Sequence, residues 1–416
     1  MILVLFTSIY PFDGGGEQAF LDVEIQYLSQ IFEKVILVPK KIVGQCLPLP
    51  DGVEVEESYA KLLSRFSLLT LMGGIASLKL VFRELCSRPS LIFYPEALRR
   101  MIRFAVVAML TSYWVKTWLR YNDNEKPKVF YTYWFDSSAM GIGLVKQDRP
   151  ELRLVSRVHG YDLYEEYYYH PPYWPFRREA MSFLDALFPD SEAGMHYLLQ
   201  RYPNFSYRYE TALLGVPKAG FVTASSSDDV FRIVSCSMLE PVKRLDLLLD
   251  GILYASRMRP NQRLEWTHIG NGKTRSELQE NADKCLPTNA RAFFPGYSNK
   301  DMLMSFYRTR PVDVFINVSA SEGTPVSIME AISCGIPVIA TSVGGNPEIV
   351  SERNGILLKP NPTPQEIADA IFVLVDNPEM AVSKRSGSRE IWSERYNADV
   401  NFQQFAERLK FIREDQ

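Results

Sequence analysis

Two glutamates, Glu322 and Glu330, have the spacing in this sequence that most clearly suggests chemistry. Glu322 follows an apolar, strand-like segment and precedes an apolar stretch that starts near Pro325, a residue type favoured in the first turn of a helix. Glu322 is therefore expected at the carboxyl end of a strand, where free amides at the helix start, from Gly323 and Thr324 onward, suit a phosphate. Glu330 would lie about one and a half turns into that helix.

One carboxylate beside a phosphate site, with a second a turn or two away, fits a ligand with two hydroxyl-bearing ends joined by phosphates. A nucleotide sugar has this form, because it consists of a sugar, a diphosphate and a ribose. The alternative is structural: Glu322 complements the helix dipole and Glu330 is a solvated helix residue. The spacing alone does not separate these two interpretations.

The elements that must position these glutamates predict an α/β protein with two halves. Apolar runs typical of buried parallel strands alternate with amphipathic helices in both halves, and the length of 416 residues allows more than one domain. The segment GVPKAGFVTASSSDD (215–229) has the composition of a linker. We therefore expect Rossmann-like domains at 1–218 and 219–396, with a last helix in 397–416 that packs back on the first domain. Ligands of such sheets bind at the carboxyl ends of the strands, here in the cleft between the halves.

Charge is distributed unevenly along the chain. The net charge of −3 argues against general nucleic-acid binding, but the segment 61–120 has ten Lys or Arg and two Glu, which gives it +8 and leaves −11 for the remainder. This segment is expected to form two or three helices inserted into the N-terminal domain. Its mixture of apolar and basic residues, with Trp114 and Trp118, favours an interfacial helix at an anionic membrane. The alternative is an ordinary solvated basic surface.

Cysteine and histidine spacing indicates neither disulfides nor metal. The five cysteines are scattered and odd in number, which is typical of a reduced, cytoplasmic protein. The four histidines have no metal-ligand spacing, so no metal site is predicted.

The stretch around the two glutamates resembles the retaining glycosyltransferases of family 4 (group 1) with the GT-B fold, of the type that builds bacterial polysaccharides and lipid-linked saccharides. The hallmark of that family is E-x7-E, which Glu322 and Glu330 match. The segments IVSCSMLEPVKRLDLLLDGI, WTHIGNG, FPGY, GGNPEIV and NGILLKP follow in the order of the family. The likeness is strong over 230–360 and loose in the N-terminal half.

The resemblance implies roles for residues of the C-terminal half. Lys243 occupies the position of a basic residue that holds the donor diphosphate. Many members carry an arginine six positions earlier, where this chain has Ser237, so Arg244 is a candidate for the second positive charge. Glu322 would bind sugar hydroxyls and Glu330 the ribose. The donor-binding set is completed by residues at the helix start: Gly323, Thr324 and Pro325.

In the N-terminal half the segment DGGGEQAF is similar to the glycine loop of the family. Gly15 and Gly16 would let the backbone approach the donor phosphate or the acceptor. His159 in SRVHGYDLY stands where the family has a histidine beside the sugar. Taken alone, three glycines more often form a turn, and a lone histidine is more often structural.

The function implied is transfer of a hexosyl group from a nucleoside-diphosphate sugar to a saccharide acceptor, expected to be lipid-linked, with retention of configuration. Glu322, His159 and Lys243 would be catalytic, and no metal or other cofactor is expected. The enzyme would work in cell-surface polysaccharide or glycolipid synthesis. It would be cytoplasmic and peripheral on the inner face of the cell membrane, with 61–120 on the anionic surface and no nucleic-acid partner. The alternatives are a nucleotide-sugar epimerase on the same architecture and a non-catalytic nucleotide-sugar-binding protein.

Overall fold

The computed structural model describes residues 1–13, 16–64, 68–122, 126–168 and 170–412. Two compact units divide the chain: Met1–Leu213 together with Phe402–Gln416, and Leu214–Asn401. The division thus falls at 213, whereas the sequence analysis placed it at 218. Within the described residues each unit is built on one six-stranded parallel sheet. The predicted α/β class with two Rossmann-like halves is confirmed.

The strands of the first unit are β1 (Ile2–Thr7), β2 (Lys34–Pro39), β3 (Val53–Val55), β4 (Lys128–Thr132), β5 (Arg153–Val158) and β6 (Ala186–Pro189). They pair in the order β3-β2-β1-β4-β5-β6, and every pair is parallel. The helices are α1 (Gln18–Ile31), α2 (Ser58–Ser64), α3 (Leu68–Ser87), α4 (Pro95–Asn122), α5 (Ser137–Asp148), α6 (Gly160–Leu163), α7 (Glu165–Tyr168), α8 (Arg177–Phe183) and α9 (Glu192–Arg201). Short 3-10 helices lie at Pro89–Phe93 and Pro203–Arg208.

The strands of the second unit are β7 (Val230–Cys236), β8 (Arg263–Ile269), β9 (Ala290–Gly296), β10 (Val314–Asn317), β11 (Val338–Thr341) and β12 (Gly355–Leu358). Their order is β12-β11-β10-β7-β8-β9, again all parallel. A 3-10 helix at Pro241–Lys243 precedes the helices α10 (Leu245–Met258), α11 (Arg275–Cys285), α12 (Lys300–Thr309), α13 (Val326–Ser333), α14 (Asn346–Ile349), α15 (Pro364–Asp376) and α16 (Pro378–Arg395). The last helix, α17 (Ala398–Lys410), begins in the second unit, and from Phe402 onward it belongs to the first.

Side chains of β1 point alternately to the two faces of the first sheet. Ile2, Val4 and Phe6 pack in one cluster with side chains of α4 and α5. Leu3 and Leu5 pack on the other face, with side chains of α1 and α17. Helices therefore cover both faces, which is why β1 is an unbroken apolar run rather than an alternating one.

Described residues of the basic segment 61–120, mainly in α4, form part of the layer on one face of this sheet. Trp114 and Trp118 of α4 are buried and stacked, with ring centroids 5.8 Å apart. Trp114 also lies edge-on to Phe6 at 5.6 Å, and its indole nitrogen donates to Ser58 Oγ at 2.8 Å. Both rings therefore belong to the core of the first unit, and contact of the segment 61–120 with a membrane stays a prediction. No helix within the described residues has the length and apolarity to cross a membrane.

A buried ion pair joins three elements of the first unit. Arg157 Nη2 of β5 lies 3.3 Å from Glu24 Oε2 of α1, and neither side chain is exposed. Arg157 Nε donates to the Tyr131 hydroxyl at 3.1 Å, and Nη1 donates to the carbonyl of Ala212 at 2.5 Å. Its guanidinium carbon lies 4.0 Å from the ring centroid of Phe405 in α17. The charge of Arg157 is therefore balanced only while Glu24 is ionised.

Replacing Glu24 with Gln should lower the free energy of unfolding by about 3–5 kcal/mol, because the charge of Arg157 would stay buried without a counter-charge. The matched control is Asp148→Asn in the exposed pair with Lys116, where the change should be below about 1 kcal/mol. Denaturant unfolding of both variants measures the difference. Similar small losses in the two variants would contradict this account of the buried pair.

Candidate functional site

In the second unit, three donors hold one carboxylate oxygen of Glu322. Its Oε1 accepts from Lys243 Nζ at 2.7 Å, from Asn317 Nδ2 at 2.9 Å and from Ser319 Oγ at 2.6 Å. The Glu322 side chain is 8% exposed and that of Lys243 is 22% exposed. All three of these donors bond to Oε1, and none of the described hydrogen bonds ends at Oε2. The carboxylate is therefore fixed through one oxygen, and the other can accept from a ligand.

The donors come from loops at the carboxyl ends of neighbouring strands. Asn317 is the last residue of β10, and Lys243 ends the 3-10 helix that follows β7. The two loops are joined directly, since Ala320 N donates to the carbonyl of Val242 at 2.8 Å. Because β7 and β10 are neighbours in a parallel sheet, their following loops meet at one edge, where open α/β sheets bind ligands.

A third loop, after β11, packs closely against Glu322. A Cβ atom on Gly344 would lie 1.9 Å from the carbonyl oxygen of Glu322, and Gly344 has a φ of +52°. The next residue, Gly345, donates its N–H to the carbonyl of Gly323 at 2.9 Å. Only glycine at 344 allows this backbone approach, so the position of Glu322 depends on it.

Arg244, which was expected to offer a second positive charge to a diphosphate, also contacts the loops of the site. Its guanidinium donates to the carbonyls of Val318 at 2.7 Å, Ser319 at 2.8 Å and Pro360 at 2.7 Å, and to Asn361 Oδ1 at 2.9 Å. Arg244 is therefore a positioning residue that holds the loop carrying Glu322.

The start of α13 lies immediately after this loop. The helix begins at Val326, so that Pro325 is the N-cap residue and not part of the first turn as predicted. No side chain caps the helix, whose first amides thus remain available to an anion. Gly323 and Thr324 connect Glu322 to this helix start.

Glu330 lies on the same helix in surroundings that disfavour its charge. Burial raises the pKa of Glu330 to about 7, and the positive charge of Lys300 opposes the shift. Burial, and secondarily the charge of Glu330, raises the pKa of the Cys236 thiol to about 12. Burial, and then the charges of Cys236 and Glu330, raise the pKa of Tyr307. Glu330 therefore lies near the end of β7 and near α12, and it is partly exposed.

In the first unit, His159 follows β5 and is buried among aromatic rings. Its Nδ1 lies 2.9 Å from Asp190 Oδ2, and its backbone N–H donates to Asp162 Oδ1 at 2.7 Å. The ring centroids of Tyr133 and Trp134 lie 4.5 Å and 5.0 Å from that of His159. With Asp190 as the acceptor for Nδ1–H, Nε2 of the neutral ring carries a lone pair. This buried nitrogen has no hydrogen-bond partner among the described residues.

The glycine loop contributes a residue that the sequence analysis missed. Gly15 lies outside the described residues, and a Cβ atom on Gly16 would meet nothing within 4 Å. Glu17, directly after the glycines, is buried, and it accepts from Ile9 N at 2.9 Å and from Trp134 Nε1 at 3.1 Å. Glu17 therefore ties the loop after β1 to the aromatic cluster around His159.

The structure thus brings together Lys243, Glu322, the following loop and the start of α13 in the second unit, whereas Gly16 and His159 belong to the first. Residues of the second unit that the sequence analysis missed are Asn317, Ser319, Gly344 and Gly345. The polar pattern N-x-S-x-x-E after a strand was the available signal for the first two. No group of His, Cys, Asp and Glu in the described parts of the chain is arranged to hold a metal ion.

Solved structures place the architecture in a known class. Anabaena Alr3699/HepE in complex with UDP and glucose aligns with a TM-score of 0.65 and 17% identity over 98% of this chain and 99% of that one. A glycosyltransferase from Rickettsia africae ESF-5 aligns with a TM-score of 0.67 and 13% identity over 100% and 99% of the two chains. The chain has the GT-B fold.

Sequence comparison finds similarity mainly in the second unit. Residues 223–390 match the family model described as glycosyl transferases group 1. The GtfA subunit of UDP-N-acetylglucosamine–peptide N-acetylglucosaminyltransferase from Streptococcus agalactiae is 25% identical over 251 residues, which are 57% of this chain and 48% of that protein. The lipopolysaccharide core mannosyltransferase LpsB of Rhizobium meliloti is 26% identical over 171 residues, 38% of this chain and 46% of that protein. The chain spans about half the length of these curated relatives, and the family match includes Lys243, Glu322 and Glu330.

Replacing Gly344 with Ala should displace the Glu322 loop, because the new Cβ would overlap a backbone oxygen and the left-handed conformation is strained. We expect a loss of about 1–3 kcal/mol in the free energy of unfolding. Gly16→Ala is the control and should be nearly neutral, since its Cβ has open space. Chemical unfolding of both variants checks this. If the free energy of unfolding of Gly344→Ala equals that of the wild type, the close approach of residue 344 to the carbonyl of Glu322 does not require glycine.

Proposed function

We propose that the chain is a glycosyltransferase that moves a sugar from a nucleoside-diphosphate sugar to a saccharide acceptor, with retention of configuration and without a metal. The observation that carries this proposal is the fixed Glu322 carboxylate beside Lys243 and the uncapped start of α13. The match of 223–390 to group 1 glycosyl transferases supports it. So does the binding of UDP and glucose by Anabaena Alr3699/HepE, which has the same fold.

The diphosphate is assigned to Lys243 and the helix start. An ammonium group has three donors, and Glu322 takes one of those on Lys243, which leaves others for phosphate oxygens. The amides that follow Gly323 and Thr324 supply further donors and the positive end of the helix dipole. These groups are in place before the reaction, so they can stabilise charge on the leaving diphosphate without reorganising.

The two glutamates are assigned to opposite ends of the donor. Glu322 accepts hydroxyls of the transferred sugar through Oε2, while Glu330 accepts the ribose hydroxyls. His159 Nε2, with its lone pair, is a further acceptor for a sugar hydroxyl. In the reaction, the bond between the anomeric carbon and the diphosphate oxygen breaks. The acceptor oxygen bonds to the anomeric carbon on the same face, and its proton passes to the departing phosphate oxygen.

Substituting the glutamates one at a time should separate binding from turnover. Glu330→Gln should weaken free nucleoside diphosphate and nucleotide sugar alike by about 10- to 150-fold, the loss expected for hydrogen bonds to a charged group. Glu322→Gln should leave binding of the free diphosphate nearly unchanged and slow transfer from the full donor, because its contact positions the reacting sugar. Calorimetry with UDP, GDP and ADP, followed by transfer assays, measures both effects.

The same measurements with EDTA and at several pH values serve as controls. Chelation should leave nucleotide binding intact, whereas loss of binding would contradict metal independence. Because the pKa of Glu330 is about 7, the affinity of the wild type for the nucleotide should rise between pH 6 and pH 8, and the Glu330→Gln variant should lose this rise.

Equal, small effects of the Glu322→Gln and Glu330→Gln substitutions would remove the main support for the glycosyltransferase assignment. Product formation that needs no acceptor sugar would indicate an epimerase.

We also propose that the acceptor is lipid-linked and that the first unit lies on the inner face of an anionic membrane. Ile75, Leu78 and Phe82 of α3 are 65%, 62% and 71% exposed, and their spacing places them on one helix face. Ile92 and Phe93 of the following 3-10 helix are 59% and 82% exposed. Exposed apolar side chains in a segment of charge +8 are typical of a surface that inserts into an anionic interface.

The double variant Phe82→Ser/Phe93→Ser should bind vesicles containing phosphatidylglycerol at least about tenfold more weakly, because burial of one phenylalanine contributes about 1.5–3 kcal/mol. The control is Phe293→Ser/Phe411→Ser, which removes two phenylalanines that are 44% and 47% exposed elsewhere. Vesicle flotation at low and high salt gives the comparison. If the wild type does not bind the vesicles, or if both double variants lose binding equally, the segment 61–120 is only a solvated basic surface.

A further inference from the structure

A cavity of about 920 Å³ in the first unit has a strongly basic lining. No Asp or Glu stands among the described residues that line it. The basic side chains of the cavity are Lys40, Lys41, Lys61, Arg99, Arg100 and Arg103. So much positive charge in one concave surface raises the local potential for anions.

Neighbouring carboxylates balance only part of this charge. Lys40 forms an ion pair with Asp136, and Lys61 Nζ lies 2.7 Å from Glu57. Burial would lower the pKa of Lys40, but the charge and hydrogen bond of Asp136 together with the charges of Tyr59 and Glu17 raise it, so that Lys40 stays protonated. In contrast, the described part of the chain has no carboxylate within ion-pair distance of three of the lining cations. Those three residues are Lys41, Arg99 and Arg103.

The cavity lies where an α/β sheet binds ligands. Lys40 directly follows β2, Ser137 comes shortly after β4, and Tyr161 shortly after β5. These strands are parallel members of one sheet, so their carboxyl ends open on the same edge. Arg99 and Arg103 stand one turn apart on α4 and therefore on one helix face. The basic groups thus converge from the strand ends and from a helix above the sheet.

Apart from Ser64, Ser137 and Tyr161, the rest of the described lining is apolar. Ile42 and Val43 are 40% and 50% exposed, and Phe104 and Val107 of α4 are partly buried beside them. A neutral saccharide would find neither the carboxylates nor the amide side chains that bind sugar hydroxyls. A free inorganic anion would leave the apolar wall unused. The lining matches a ligand that has an anionic head and an apolar chain.

We infer that this cavity binds the phosphate or diphosphate ester head of an amphiphile, with Arg99 and Arg103 as phosphate ligands and the wall around Phe104 as the contact for the chain. Guanidinium groups suit this role because their planar donors match phosphate oxygens in pairs. The inference depends on the proposed function only in taking this amphiphile to be the acceptor that carries the saccharide.

Binding of geranyl diphosphate to the full chain tests the inference, with inorganic pyrophosphate and geraniol as separate probes. Wild type should bind geranyl diphosphate at least about tenfold more tightly than either probe, since both the head and the chain contribute. The double variant Arg99→Gln/Arg103→Gln should lose at least about tenfold in affinity for geranyl diphosphate. Its matched control, Lys116→Gln/Arg120→Gln, removes two exposed cations of the same helix outside the cavity and should bind like wild type.

Two further binding measurements distinguish the cavity from the donor site. Lys243→Ala should leave geranyl diphosphate binding unchanged, whereas the Arg99→Gln/Arg103→Gln variant should keep its affinity for the nucleoside diphosphate. Equal affinity of pyrophosphate and geranyl diphosphate would show a site for free phosphate rather than for an amphiphile. Retention of geranyl diphosphate binding in the cavity variant, or its loss in Lys243→Ala alone, would overturn the inference. Absence of nucleotide binding by the wild type would refute the proposed function and leave the cavity result standing.

Discussion

The contact between Lys243 and Glu322 is the interaction on which the candidate site of the second unit depends. A carboxylate with so little exposure is unfavourable unless its charge is compensated and hydrogen-bonded, and Lys243, Asn317 and Ser319 provide both. Since the three donors belong to loops after two neighbouring strands, the ion pair also fixes those loops against each other. The start of α13 then takes its position from the loop, because only Gly323, Thr324 and Pro325 separate it from Glu322.

In the first unit, buried carboxylates likewise hold His159 in place. Asp190 orients the ring through Nδ1, and Asp162 holds the backbone at the end of β5. Burial raises the pKa of Asp162 to about 6, against the opposing effects of His159 and its other donors. In both units, then, a carboxylate with limited access to water fixes a polar residue at a strand end. A side chain held in this way can meet a ligand with little loss of conformational freedom.

Local patterns in the sequence predicted the fold well, and they predicted the site in part. The apolar runs of β1 and β10 identify buried strands because helices on both faces demand apolar side chains throughout. The spacing of Glu322 and Glu330 was likewise visible. Contacts that depend on three loops meeting were not visible, so the contacts of Gly344 and Asn317 with Glu322 were not predicted.

Two residue types are ambiguous in the sequence for a physical reason. Tryptophan near basic residues suits a membrane interface and a protein core equally well, and the neighbours that decide for Trp114 are distant in sequence. Arginine likewise binds phosphates and carbonyl groups alike, so the type of residue 244 could not reveal the four acceptors it contacts.

The path of the chain through α17 has a consequence for synthesis. Phe405 and Leu409 complete the apolar layer over one face of the first sheet, although most of that sheet is encoded before residue 190. On the ribosome the whole of 214–401 emerges before these two side chains. The second unit can therefore fold while the face of the first sheet that carries Leu3, Leu5 and Tyr131 is covered by α1 but not yet by α17. The nascent first unit is consequently the part of the chain that a chaperone would bind longest.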